Sequence, residues 1–290
     1  MKSEEAERAV QGSSLLTPHS PLATPGGLYL YCFARPGAAG GVDVPGVDGS
    51  RAIAEVELGP VAAVVSRVSL EEFGDGAAER NTQNPDWIIP RACRHQRVVQ
   101  EVMARSGVLP VRFGAVFSSD ERLAELVHEK CQEISGFLDW VHGKEEWAVK
   151  GLVDPDRAGA WLRANDPALA GQCGDTASPG ARYFQEKRLR VAVQERLRGW
   201  CRCVAEEVHA QLDLVAEAAR PLKLRAWGAA GKEGQLVLHR AFLLRRESVA
   251  AFLAHVERVG LDYAEQGLAL GTSGPWPPYT FAPTLWGAQA

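Results

Sequence analysis

Three absences narrow the functions open to this 290-residue chain. No apolar run approaches the ~18 residues of a transmembrane helix, so the sequence predicts no membrane span. Basic residues are not in excess: 32 Lys and Arg against 36 Asp and Glu leave a formal net charge of −4, which argues against nucleic acid as the main partner. The acidic opening residues are unlike a signal peptide. We therefore expect a cytoplasmic protein whose six cysteines are reduced.

The signatures of common catalytic and cofactor sites are also missing. The chain has no Gly-x-Ser-x-Gly nucleophile elbow, no His-Glu-x-x-His zinc motif and no phosphate-cradling glycine loop. Cys201 and Cys203 lie two positions apart on a predicted helix, so their side chains point roughly 200° apart and cannot share an ion. His128 and Cys131 could share a helix face, but two ligands do not complete a zinc site. We therefore expect no enzyme activity, no metal and no cofactor.

The bulk composition is that of a folded protein with more than one domain. Apolar residues make up 46% and charged residues 23% of the chain, and its length exceeds that of a typical single domain. Residues 1–26 are rich in Ser, Thr, Pro and Gly and have little periodicity, which predicts a disordered N-terminal tail. We expect an N-terminal α+β sheet domain at 27–142 and a C-terminal domain at 143–290.

Strand-forming runs and helical periodicity alternate in the first of these domains. Residues 71–86 predict an irregular segment, after which a helix starts at Pro90, where a missing N–H costs nothing. A second helix begins after the Ser-Ser-Asp sequence at 118–120 and keeps apolar spacing to about residue 141. The predicted strands are residues 28–33, 52–58, 61–68 and 108–117.

The second domain repeats a recognisable order of elements. The predicted elements are a strand at 147–153, a short helix at 156–165, a long helix at 180–218, strands at 222–229 and 235–244, a helix at 248–258 and a strand at 267–271. This order is the split βαβ, ferredoxin-like arrangement. Between residues 182 and 202 the long helix carries seven cations and two anions. That basic run is either the solvated face of the helix or a docking surface for an acidic protein.

Two segments have unusual composition. Residues 271–281 interleave three prolines with three aromatic rings, so the prolines stiffen a path from which the rings project. We interpret this block as a structural clasp across the domain interface, with Trp276 buried; direct contact with a partner is the alternative. Residues 108–117 form an apolar run whose charge, Arg112, is a surface charge, one half of an ion pair or an anchor in a docking surface. The candidate clasp residues are Pro275, Trp276, Pro277, Pro278, Tyr279 and Phe281.

Five separated segments, taken in order, resemble the gas vesicle protein F/L family. They are residues 28–31, Trp87 with His95, residues 108–117, residues 146–150 and residues 271–281. The resemblance covers about residues 27–282. Gln96 differs from the family, which often has an acidic residue after this histidine, and Ala115 differs from the usual threonine.

The resemblance implies a non-enzymatic accessory protein of gas vesicle formation. Members of this family are associated with binding the small hydrophobic shell protein (GvpA-like) and with shell assembly or nucleation, and some have been placed in the vesicle itself. The implied partners are this shell protein and other accessory gas vesicle proteins. The alternative is a small-molecule-binding ferredoxin-like module or an enzyme unrelated to gas vesicles, because one fold hosts many functions. The candidate partner-binding residues are Trp87, His95, Leu109, Arg112, Phe113 and Phe117.

Overall fold

A computed structural model describes residues 26–74, 76–170, 179–223 and 234–286. The expected disordered tail lies outside these ranges, apart from Gly26, which begins the first strand. Most of the expected strand at 222–229 also lies outside them. The described chain is a mixed α+β structure with two antiparallel sheets.

Five of the described strands form the first sheet, in the order β2-β3-β1-β4, with β5 also pairing with β1. Helix α3 packs on one face of this sheet and α4 on the other. The elements are β1 (Gly26–Ala34), β2 (Ala54–Leu58), β3 (Val61–Ser69), α1 (Leu70–Phe73), α2 (Ala77–Thr82), α3 (Pro85–Met103), β4 (Val108–Pro110), β5 (Val116–Phe117) and α4 (Asp120–Val141).

Strand β1 is the centre of this sheet and is buried from Gly27 onward. Both of its faces are covered, which is why its sequence is almost continuously apolar or aromatic. Leu30 packs in the cluster with α4, whereas Tyr29 and Tyr31 pack in the cluster with α3. A register shift between Leu30 and Cys32 places Tyr31 and its neighbour Cys32 in the same cluster.

Two expectations for this half are wrong. Helix α3 begins at Pro85 and contains Pro90, because the Asn84 side chain accepts a hydrogen bond from the Asp86 N–H and caps the helix earlier. The segment expected to be irregular therefore includes α1, α2 and the start of α3. The expected strand at 108–117 is broken into β4 and β5 by a turn in which Gly114 has φ +99°, a conformation that favours glycine.

Four of the described strands form the second sheet, in the order β7-β8-β6-β9. Helices α5, α7 and α8 cover one face of it through a cluster that includes Val149, Phe242 and Val208. The elements are β6 (Lys144–Val153), α5 (Pro155–Asn165), α6 (Pro167–Ala170), α7 (Pro179–Asp213), β7 (Ala218–Pro221), β8 (Gln235–Arg245), a 3-10 turn (Arg246–Ser248), α8 (Val249–Ala264) and β9 (Leu268–Trp276).

Several element boundaries in this half also differ from expectation. Helix α7 ends at Asp213, before the expected residue 218, and Val215 is exposed. The chain leaves the helix because the Glu217 N–H bonds to the Leu243 carbonyl and carries the backbone into the sheet. Sheet pairing thus starts at Ala218, before the expected position. Helix α8 and strand β9 both continue beyond their expected ends.

The two sheets share part of one hydrophobic cluster. It contains Leu30 of β1, Ile134 of α4 and Leu243 of β8, together with Phe281 and Leu285. Apolar residues of α4 therefore belong to a cluster that includes residues of both sheets. Of the described helices, none combines the length and hydropathy needed to cross a membrane.

Candidate functional site

A buried cluster of aromatic rings surrounds His95, which is 3% exposed. The His95 ring stacks on Tyr31 at a centroid distance of 5.6 Å. It also makes edge-to-face contacts with Tyr29 and Phe113, at centroid distances of 5.7 Å and 5.9 Å. Phe113 in turn lies 6.3 Å from the Trp87 ring. The cluster joins α3 to β1 and to the turn between β4 and β5.

The hydrogen bonds of His95 define its tautomer. Nε2 lies 3.0 Å from the Val111 carbonyl oxygen, which can only accept, so Nε2 carries the proton. Nδ1, 3.0 Å from the Tyr29 hydroxyl, must then accept. The Tyr29 oxygen accepts from the Gly114 N–H at 3.1 Å, and the Tyr279 hydroxyl lies 3.1 Å from Nε2. A neutral imidazole therefore ties α3 to the β4–β5 turn and to the C-terminal segment.

The protonation behaviour of this cluster follows from its burial. Desolvation lowers the pKa of His95 from 6.5 to about 4, against a smaller opposing effect of the Val111 carbonyl. Desolvation raises the pKa of Tyr29, Tyr31 and Tyr279 above the usual value for tyrosine, to about 12 for Tyr31. At neutral pH all four side chains are uncharged, so the cluster is a structural hydrogen-bonded core.

Trp87 is held by two residues that sequence reasoning missed. Its indole N–H donates to Glu72 Oε1 at 2.8 Å. Arg91 lies over the Trp87 ring at 4.5 Å and also donates to Glu72 at 2.5 Å. Arg91 stands four positions after Trp87 on α3, a spacing that could have indicated the contact. Glu72 comes from α1, which the sequence did not predict.

The predicted partner-binding residues divide into buried and accessible groups. His95 and Leu109 are buried and offer no surface to a partner. This corrects the expectation that they contact a partner directly. Arg112 is exposed and forms no ion pair within the described ranges. Trp87, Phe113 and Phe117 are partly accessible. The accessible part of the predicted surface therefore centres on the β4–β5 turn and β5.

Two adjoining cavities lie along that surface. One, of about 330 Å³, is lined by Arg112, Phe113, Tyr279 and residues 282–286. The other, of about 970 Å³, is lined by residues of α1, α2 and β5 and again by Trp286. We call them together the β5 groove: it lies between α1–α2, residues 109–118 and residues 282–286. Trp286, which sequence reasoning missed, packs edge-to-face against the Phe117 ring, at a centroid distance of 6.1 Å.

The proline-aromatic segment contacts helix α3 and the second sheet. On one side Tyr279 reaches His95. On the other, Glu146 of β6 accepts from the Thr280 N–H at 3.0 Å and from its hydroxyl at 2.6 Å. Arg220 of β7 donates to the Thr280 carbonyl at 2.8 Å and lies over the Phe281 ring. The segment thus links elements that are far apart in the sequence.

The side chains of this segment differ in exposure. Pro277, Pro278 and Phe281 are buried, and Phe281 meets the Trp140 ring at 6.0 Å. Trp276 is 39% exposed, so the expectation that it is buried is wrong. It ends the edge strand β9, where only part of its ring is covered.

Burial raises the pKa of Glu146, against the opposing effect of its hydrogen bonds with Thr280.

The described thiols and histidines form no evident ligand set. Cys32, Cys93, Cys131, Cys201 and Cys203 are all free thiols. In the described part of the chain, no group of three or more His, Cys, Asp or Glu side chains converges on one point.

Comparisons with known proteins agree with this architecture. A family model described as gas vesicle synthesis protein GvpL/GvpF matches residues 27–283. The chain is 25% identical to gas vesicle protein L of a Streptomyces species over 224 residues, which are 77% of this chain and 80% of that protein. It is 27% identical to gas vesicle protein L2 of Halobacterium salinarum over 271 residues, 89% of this chain and 92% of that protein.

A solved structure shows a similar fold. The crystal structure of the gas vesicle protein GvpF from an Anabaena species superposes with a TM-score of 0.67 at 18% identity, covering 89% of this chain and 99% of that one. The family model extends over most of the present chain. The protein therefore belongs to the GvpL/GvpF family of gas vesicle synthesis proteins, and its role is connected with gas vesicles.

Proposed function

We propose that this protein is a non-enzymatic accessory protein that binds the small hydrophobic shell subunit of gas vesicles and assists shell assembly or nucleation. The observation that carries the proposal is the β5 groove. Its walls include Phe113, Phe117 and Trp286, and these apolar rings are accessible from outside. A protein that shields an aggregation-prone subunit needs such a surface.

The chemistry of the groove suits an amphipathic segment. Arg112 stands at one end with its guanidinium free of any ion pair in the described ranges. Arg122, Glu125 and Glu129 of α4 lie on the rim near Phe117. Apolar walls with a charged rim are the usual composition of a reversible protein interface. Arg and aromatic side chains also contribute most of the affinity in such interfaces.

The finer description of the fold belongs to the same proposal. We propose that residues 27–142 and 143–290 are separate domains and that the second is ferredoxin-like, which its strand order β7-β8-β6-β9 supports. The proline-aromatic segment then acts as a clasp between them. Since residues 282–286 follow this clasp directly, it also holds one wall of the β5 groove in place.

The test is binding of purified shell subunit, kept soluble as a fusion, by variants of the full chain. Arg112→Glu and Trp286→Ala change the groove at exposed side chains, and each is expected to weaken binding by about 10-fold or more. Leu214→Ala is the control, because Leu214 is a large apolar residue that is 87% exposed and lies outside the groove. Thermal melts of all three establish that they are folded. Unchanged binding by both groove variants would contradict the proposal.

A further inference from the structure

Helix α7 extends beyond the part of the protein that it packs against. Its fully buried side chains begin at Val193 and end at Leu212. None of the described residues from 180 to 192 is buried, and most of them are exposed. Roughly three turns at the N-terminal end of the helix therefore lie in solvent.

Large apolar side chains are exposed on this projecting end. Phe184 is 66% exposed and Val191 is 51% exposed. The Tyr183 ring packs against the Phe184 ring at a centroid distance of 5.8 Å. Phe184 and Val191 stand seven positions apart, which is two helical turns, so they lie on the same side of the helix about 10 Å from each other.

Arginines share that side of the helix with the two apolar residues. At 100° per residue, positions 184, 188, 191, 195, 198 and 202 fall within an arc of about 80°, turned away from the buried stripe. All six side chains are exposed. The α7 outer stripe thus holds three cations, one anion and two apolar side chains over about 27 Å of helix. Its residues are Phe184, Arg188, Val191, Glu195, Arg198 and Arg202.

The charges of the outer stripe differ from those on an ordinary solvated helix. On α4 both cations, Arg122 and Lys130, form an ion pair with a glutamate three positions later. Within the described ranges Arg188, Arg198 and Arg202 form no ion pair. Arg198 and Arg202 are also four positions apart, where like charges on a helix repel each other. Neighbouring cations without counter-charges attract an anionic surface.

We propose that the α7 outer stripe is a docking site for an acidic helix of a partner protein, with apolar side chains every seven residues. Carboxylates of that helix pair with Arg188, Arg198 and Arg202. Its apolar side chains cover Phe184 and Val191, since two nearly parallel helices meet at a seven-residue repeat. The site is separate from the β5 groove, because no residue that lines the groove belongs to α7.

The mixing of cations with apolar side chains favours a protein over a lipid surface as the occupant. A membrane-binding helix separates a broad apolar face from a cationic face. In the outer stripe Arg188 stands between Phe184 and Val191, and the opposite side of the helix is buried from Val193 onward. Arginine beside an aromatic ring is the combination that contributes most affinity in protein interfaces.

The test is binding of the full chain to a fluorescent peptide, measured by anisotropy. The peptide has three heptads with leucine at every seventh position, glutamate on both sides of each leucine and alanine elsewhere. We expect saturable binding with a dissociation constant on the order of 10 µM, and weaker binding as the salt concentration rises. Peptides with serine in place of leucine, or glutamine in place of glutamate, should bind about 10-fold more weakly.

Variants of the protein locate the binding site. Phe184→Ala should weaken binding of the leucine peptide by about 5-fold and Arg198→Glu by about 10-fold. The matched controls are Ile89→Ala and Arg97→Glu, which change exposed positions of α3 and should bind like wild type. Circular dichroism spectra that match wild type establish that each variant is folded.

Several results would overturn the proposal. Equal affinity for the leucine and serine peptides would mean that a solvated cationic face attracts any anion. An equal loss in Arg97→Glu and Arg198→Glu would show that no defined site exists. Vesicles of phosphatidylglycerol and phosphatidylcholine that bind more tightly than the peptide, in a manner that depends on Phe184, would identify a lipid surface as the occupant.

Discussion

Protonation of His95 should destabilise the fold at mildly acidic pH. In the folded protein the imidazole is neutral, with its Nε2 proton near the Val111 carbonyl and its Nδ1 accepting from Tyr29. A second proton has to be placed on Nδ1, inside a desolvated cluster where the Tyr29 hydroxyl already donates. Burial therefore holds the folded pKa at about 4, below the ordinary 6.5.

The sign and size of the effect follow from this difference. Because the folded pKa is depressed, the unfolded chain takes up the proton first as the pH falls below about 6.5. The free energy of unfolding therefore decreases between pH 6.5 and pH 4. A pKa difference of this size corresponds to a loss of about 2 kcal/mol at pH 5 and about 3 kcal/mol at pH 4.

The assay is urea unfolding at several pH values between 7.5 and 4.5, for wild type and for His95→Gln. Glutamine has an amide N–H and a carbonyl oxygen for the same two partners but does not titrate. Asp and Glu residues titrate in both proteins, so the difference between the two unfolding free energies isolates His95. That difference should change by about 2 kcal/mol between pH 7.5 and 5. Parallel pH profiles would refute the reasoning.

Three further predictions concern the C-terminal segment. Glu146→Ala leaves the Thr280 N–H and hydroxyl without their acceptor, so it should lower the free energy of unfolding by about 1–3 kcal/mol. In the same urea titrations Glu146→Gln should lower the free energy of unfolding clearly less. An equal loss for the two variants would show that these hydrogen bonds do not matter. Phe281→Ala removes a buried ring and should lower the free energy of unfolding by about 3–5 kcal/mol in those titrations. A loss below about 1 kcal/mol would be incompatible with the packing of this ring. Trp276→Ala should lower the free energy of unfolding by less than about 2 kcal/mol, because the ring is partly exposed; a larger loss would mean that it is packed.

Local signals in the sequence were sufficient for some elements. Helix α4 begins after Ser119, as its cap sequence predicts, and its apolar spacing continues to Val141. For α3 the same kind of signal stands at Asn84 and Pro85, and Pro90 is a competing signal five residues later. The break between β4 and β5 has a local signal in Gly114, but its extent depends on how both strands pair with β1.

The candidate site was only partly predictable for a related reason. His95 and Tyr279 were each singled out, but their contact joins residues 184 positions apart. Burial of Glu146 was not foreseen, because a glutamate in a strand gives no sign of a hydroxyl partner brought in from elsewhere. Trp286 lies beyond the proline-aromatic block, so the pattern of that block gives no sign of it. The division of the chain at residue 142 stays a prediction.

The position of Phe281 and Leu285 has a consequence for synthesis of the protein. Both side chains complete a hydrophobic cluster whose other members include Leu30 of β1 and Ile134 of α4. A ribosome produces the chain from its N-terminus, so β1 and α4 emerge long before these two residues. Until then part of their apolar surface is open to water and to other nascent chains. We therefore expect newly made protein to be prone to aggregation until residues 281–285 have left the ribosome.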